Sequence, residues 1–183
     1  MKELSLNILD IVENSVKAGA TLTEILIEES SDILTITVKD DGCGMSDEIE
    51  KQVTDPFYTT RTTRKVGLGI PLFKMSCEMT GGSFSLSSRS IAEAPNDHGT
   101  VIAATFHKDH IDFTPLGDVI STVTTLIQGH PDTDFLFKHT TEKGEVRLDT
   151  RELRCVLDPV PLSDYEVLKW IEESLGEQYD ELN

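Results

Sequence analysis

The sequence predicts an α/β fold in which helices cover a sheet of short strands. Three observations carry this. Apolar residues recur at helical spacing over residues 4–18, at Leu6, Leu9, Val12 and Val16. They alternate with polar ones over residues 33–39, where Leu34, Ile36 and Val38 share one face. The two periodicities then take turns along the chain, punctuated by glycine and proline.

Taken in order, residues 4–18 form an amphipathic helix. Gly19 follows it, and glycine accepts the left-handed backbone that closes a helix. Strands are expected at 23–28 and 33–39, the second running into Asp40-Asp41-Gly42-Cys43-Gly44. Ser46 and the acids Asp47 and Glu48 predict the cap and first turn of a short helix over 47–53, which Asp55-Pro56-Phe57 breaks. Residues 58–66 read as a polar, basic loop. A helix is expected from Ile70 to Met79, with Pro71 tolerated in its first turn and Gly81-Gly82 at its end. Strands at 83–88 and 100–106 follow, joined by a polar loop. Further on, Leu116, Val119, Ile120, Val123, Leu126 and Ile127 make a helical stripe. Phe135 and Phe137, then Val146 and Leu148, alternate on either side of a Glu-Lys-Gly turn and predict a hairpin. Ser163 and Glu166 have the spacing of a capping box before a last helix carrying Val167, Leu168, Ile171 and Leu175.

Totals narrow the function. The formal charge is −17, from 16 basic and 33 acidic residues. Its plainest consequence is solubility. It also argues against a nucleic-acid partner, whose binding depends on neutralising phosphates, and there is no basic stripe for an anionic membrane. No run of about 18 apolar residues is present, so no transmembrane helix is expected. Acids interrupt the apolar positions of the first 15 residues, which do not read as a signal peptide. The three cysteines, Cys43, Cys77 and Cys155, form no CxxC pair and suit a reducing, cytoplasmic setting. Acid concentrates late, with 17 acidic against 7 basic residues over 107–183. The expected organisation is therefore a domain over 1–106, a linker over 107–114 and a small acidic α+β accessory unit over 115–183.

Chemistry-bearing residues gather in the first part. Asp10 and Asn14 are four apart, hence on one helix face, while Glu13 points about 100° away. Asp40-x-Gly42-x-Gly44 ends a strand with an acid and a turn freed of side chains. Gly67-x-Gly69 precedes a helix, where glycines and unpaired helix-start N–H groups suit phosphate. Gly99-Thr100 opens a strand. Singly each pattern is weak, and a solvated helix face or a polar turn accounts for it.

Their order is specific. VENSVKAGAT, DDGCGM, DPFYTT, GLGIPL and GT occur in one series between residues 12 and 100. This series resembles the GHKL ATPases, the superfamily of DNA gyrase, Hsp90, histidine kinases and the MutL mismatch-repair proteins. The resemblance implies a two-layer α/β sandwich of the Bergerat, histidine kinase-like type: a mixed, mainly antiparallel sheet with helices on one face. It implies ATP and Mg²⁺ as ligands. Asp40 would accept a hydrogen bond from the adenine amino group, because a carboxylate can only accept. Gly42 and Gly44 would let the base approach the backbone, and Thr100 would support the same end of the pocket. Asn14 would coordinate Mg²⁺ through its oxygen. Gly67, Leu68 and Gly69 would present N–H groups to the phosphates, and Arg61, Arg64 and Lys65 fall in the segment equivalent to the family's ATP lid.

Two departures bear on activity. Several members place a glutamate four residues before the metal-binding Asn to activate water; here Asp10, one methylene shorter, takes that place as candidate catalytic base. Lys17 stands where gyrase-like members often have Asp. No histidine has the surroundings of a histidine-kinase phosphoacceptor, and none is expected ahead of the Asn helix. The first expectation is thus a Mg²⁺-dependent ATP-binding protein with slow ATPase activity, a regulatory switch for a protein partner. The alternatives are a kinase acting in trans on a partner Ser or His, as anti-sigma kinases act on Ser, and a non-catalytic ATP-sensing scaffold.

Overall fold

The computed structural model describes residues 3–55 and 68–182. The first helix, α1 (Leu4–Lys17), buries Leu4, Ile8, Ile11 and Val12. Glu3 at its N-cap makes no side-chain cap bond. Instead the Leu4 and Ser5 N–H groups donate to the Pro115 and Leu116 carbonyls at 2.9 and 2.8 Å, which satisfies donors that a helix start leaves unpaired. Two strands follow, β1 (Leu22–Glu29) and β2 (Ile33–Asp40), then the short α2 (Asp47–Gln52). Ser46 occupies the α2 N-cap position without a side-chain bond. Next come α3 (Gly69–Met79), β3 (Ser83–Arg89) and β4 (Gly99–His107).

The later segment is α4 (Val119–Gly129), β5 (Asp134–Thr141), β6 (Gly144–Asp149), α5 (Thr150–Leu157) and α6 (Tyr165–Glu181). Its strands continue the first sheet. The six strands lie in the order β3-β4-β2-β1-β5-β6, with β1–β5 parallel and every other neighbouring pair antiparallel. The result is a mixed, mainly antiparallel α/β fold. Period-two burial on β1, β2, β4 and β5 turns one face toward α1, α3, α4 and α6. The buried side chains form one contiguous core that runs from Leu4 to Leu175. Phe73, Phe106, Phe135 and Phe137 are fully buried in it, each removal from water favouring the fold by about 1.5–3 kcal/mol.

Two local differences from expectation have simple causes. The N-cap of α6 is Asp164 rather than Ser163: its carboxylate accepts from the Glu166 N–H at 2.9 Å, and a negative group gains more at the positive helix end. The α5 helix has no counterpart in the expected elements. It is short and polar, buries only Thr150, and is started by Asp149, which accepts from the Arg151 N–H.

Candidate nucleotide site at one end of the sheet

The C-terminal end of β2 and the N-terminal ends of β1 and β4 meet at one edge of the fold. Asp40 is the last residue of β2, in register with Thr23 on β1 and Thr100 on β4, while Thr100 is in register with Ser88 on β3. Partners in register face the same way, so these residues form a polar row under α1. The Asp40 carboxylate is held from two sides. Its Oδ2 accepts from the Ser15 hydroxyl of α1 at 2.6 Å, and its Oδ1 accepts from the Gly42 N–H at 2.9 Å. Each oxygen retains acceptor capacity. Thr100 is buried and shares a 2.9 Å hydrogen bond with the Ser88 hydroxyl, which also accepts from the Met45 N–H at 2.8 Å. The Thr23 hydroxyl is buried with no hydrogen-bond partner among the described residues.

The second acid of the pair does something different. Asp41 accepts from the Thr21 and Leu22 N–H groups at 2.7 and 2.9 Å and from the Thr21 hydroxyl at 2.5 Å, pinning the start of β1. Burial pushes its pKa up, but these hydrogen bonds outweigh it and hold the carboxyl below the usual range. Adjacent acids therefore divide the work: Asp41 ties the backbone together, and Asp40 faces the row.

The turn needs its glycines. A Cβ on Gly42 would stand 2.9 Å from the Ala18 Cβ and 3.0 Å from Asp40 Oδ1. Gly44 has φ +65°, and a Cβ there would lie 1.9 Å from the Arg89 carbonyl oxygen. No other residue fits without moving backbone.

Asp10 and Asn14 are both exposed on one face of α1, as the helical spacing requires. The start of α3 lies against Asp10: a Cβ on Gly69 would stand 3.1 Å from the Asp10 Cβ. Leu68 precedes α3 and is half exposed. The first-turn N–H groups of α3 are thus near the Asp10 side of the site. Arg61, Arg64, Lys65 and Gly67 lie outside the described residues. Glu13 is on another face. It accepts from His130 Nε2 at 2.7 Å and pairs with Lys17 at 3.5 Å, and the His130 hydrogen bond leads the causes that hold its pKa low.

Ser15, Ser88 and His98 escaped sequence reasoning. His98 Nδ1 lies 2.6 Å from the Gly42 carbonyl oxygen. Each acts on a residue far away in the chain, and single polar residues in a helix, a strand and a loop carry no spacing that announces them.

Comparison with known proteins agrees with this architecture. The N-terminal domain of a DNA repair protein superposes with a TM-score of 0.59 over 81% of this chain and 53% of that one, at 13% identity. The MutL ATPase domain of Aquifex aeolicus, solved with ADP, gives 0.51 over 97% and 70%, at 16% identity. Both likenesses are of fold. In sequence, the chain is 33% identical to the Escherichia coli sensor histidine kinase CpxA over 78 residues, covering 40% of this chain and 17% of that protein. It is 26% identical over 102 residues to the Staphylococcus saprophyticus heme sensor protein HssS, covering 54% of this chain and 21% of that one. The chain thus spans about a fifth of the length of these curated relatives. The model of the family described as histidine kinase-, DNA gyrase B-, and HSP90-like ATPase matches residues 2–110, well over half of the chain, and the chain belongs to that family.

Proposed function

We propose that the protein binds Mg²⁺-ATP with its adenine against Asp40, hydrolyses it slowly, and serves as a nucleotide switch for a protein partner. The family carries an ATP-binding domain. The observation that supports the adenine placement is the Asp40 carboxylate, oriented by Ser15 and Gly42 yet keeping lone pairs for an amino donor. A guanine would offer it a carbonyl oxygen and be rejected. Gly42, Gly44 and Thr100 would shape the base end. Leu68 and Gly69, with Gly67, Arg61, Arg64 and Lys65, would serve the phosphates. Asn14 fits a metal role: its carboxamide oxygen is a hard donor on an exposed face, and Mg²⁺ needs only one or two protein ligands beside phosphate and water. Bound there, Mg²⁺ would offset phosphate charge.

Asp10 is the candidate base. It sits one turn before Asn14 and beside the α3 start, on the side where phosphates would lie. Its short side chain fits slow water activation. Phosphate release under saturating Mg²⁺-ATP tests this. Asp10→Ala should abolish turnover with little change in ATP affinity, and Asp10→Glu should raise it. Equal turnover in D10A refutes the role.

A second reading has support from the relative named as a sensor histidine kinase: phosphotransfer to a Ser or His of a partner in trans. Radiolabel from γ-labelled ATP appearing on a co-purified protein, rather than as free phosphate, favours it. Binding without turnover or transfer favours an ATP-sensing scaffold. The acidic surface argues against nucleic acid as the partner.

A further inference from the structure

We infer that His98 is a positioning residue for the nucleotide base, holding the glycine turn in its binding shape through the Gly42 carbonyl; this rests on the nucleotide reading above. The carbonyl oxygen of Gly42 can only accept, so His98 Nδ1, 2.6 Å away, carries the proton and donates. The other polar group of the same glycine, its N–H, donates to Asp40 Oδ1 at 2.9 Å. Gly42 therefore connects His98 to the carboxylate that reads the base.

The next residue is held in the same manner. The Cys43 N–H donates to the Ala18 carbonyl beyond α1 at 2.8 Å, and the Cys43 carbonyl accepts from the Ile91 N–H at 2.8 Å. His98 and Ile91 both belong to the β3–β4 connection, residues 90–98. The turn is thus gripped between the end of α1 on one side and this connection on the other. His98 also immediately precedes Gly99-Thr100, so one short segment supplies both the clamp and the threonine of the polar row.

The need for a clamp is physical. A turn with glycines at positions 42 and 44 has unusual conformational freedom, and ordering it costs entropy. Ordered beforehand, the turn takes none of that cost from ligand binding. Without His98, rotation of the peptide that carries the Gly42 carbonyl is resisted on one side only. Cys43 would then move with it, and so would the aim of Asp40. His98 does this through its contact with the Gly42 carbonyl.

Calorimetric titration of Mg²⁺-ATP and Mg²⁺-GTP into wild type, His98→Ala, His98→Asn and Asp40→Asn tests the inference. Asparagine carries a donor close to the place of Nδ1. His98→Ala should weaken ATP binding about three- to tenfold, the worth of one neutral hydrogen bond, and lower the ATP-over-GTP preference. His98→Asn should restore both. Should His98→Ala not fold, His98→Leu, which fills the space and carries no donor, replaces it in the comparison. Wild-type affinity in His98→Ala, or affinity that follows melting temperature across the variants with no rescue by asparagine, overturns the inference while Asp40→Asn still loses binding. Absence of ATP binding by wild type overturns the nucleotide reading and takes the inference with it.

Discussion

Replacing Asp40 by asparagine changes one atom of the site and leaves its volume alone. The amide can sit in one orientation only. Its oxygen must face the Gly42 N–H, now 2.9 Å from Oδ1, because an NH₂ there would set donor against donor. The NH₂ then faces the Ser15 hydroxyl, which turns and accepts across the 2.6 Å contact. Both bonds survive in neutral form, so the protein should fold, with a stability loss of about 1–2 kcal/mol. Binding fares worse. With adenine on the Ser15 side, its amino group meets a second donor, and one charge-assisted hydrogen bond worth about 1.5–3 kcal/mol is lost. That is about a 10- to 150-fold rise in the dissociation constant for Mg²⁺-ATP. Isothermal titration reads it directly, with urea unfolding beside it. Affinity within about threefold of wild type in the folded variant would refute the placement of the base at Asp40.

Three further outcomes follow from the structure. Gly44→Ala should destabilise by more than about 2 kcal/mol in urea unfolding, since it puts a side chain into left-handed backbone at φ +65° and drives the Cβ into the Arg89 carbonyl. Phe137→Ala on β5 should cost about 3–5 kcal/mol and lower one cooperative transition for the whole chain, because Phe137 belongs to the same core as Ile25 and Phe73; separate transitions for the two parts would contradict a shared core. The third concerns pH. His139 is buried at the floor of a cleft of about 370 Å³ at the opposite end of the sheet, between Tyr179 at 2.8 Å and Glu29 at 3.0 Å, with Lys108 also facing it. Burial pushes its pKa below 6.5, against the upward pull of Glu29. The unfolded chain then binds the proton first, so stability falls as pH drops below about 6.5 and levels off below the folded value. His139→Gln should flatten the urea midpoint across that window. The carboxyls held low, among them Asp118 and Asp149, act at more acidic pH.

Much of this protein was legible before any coordinates. Period and punctuation located α1, β1 to β4 and α3 to within a residue or two, because each element needs one apolar face and a breaker at its end. The order of the motifs identified the family. The series Asp40, Gly42 and Gly44 also pointed to a turn freed of side chains, and the φ of +65° at Gly44 agrees. What stayed hidden was of three kinds. The α5 helix is only eight residues long and polar on average, and its apolar positions Leu153, Val156 and Leu157 span barely one turn, too little for the period to stand out. The cap of α6 depended on which of two adjacent polar side chains reached the Glu166 N–H.

The third kind is the largest, and only the tertiary structure decided it. A hairpin predicts that β5 and β6 pair with each other; it says nothing of β5 lying parallel to β1 and carrying the first sheet onward. The edge of a strand offers the same N–H and C=O groups to any partner, so the choice falls to the side chains that meet beneath it, here Phe135 and Phe137 with the residues of α4 and α6. The site was divided in the same way. Its residue types are written locally, as Asn14, Asp40 and the glycines. Their arrangement comes from contacts between distant residues: Ser15 on Asp40, His98 on Gly42, and Glu13 turned away to His130. Such contacts leave no periodic trace, because chain distance does not limit which surfaces pack once the sheet has brought them together.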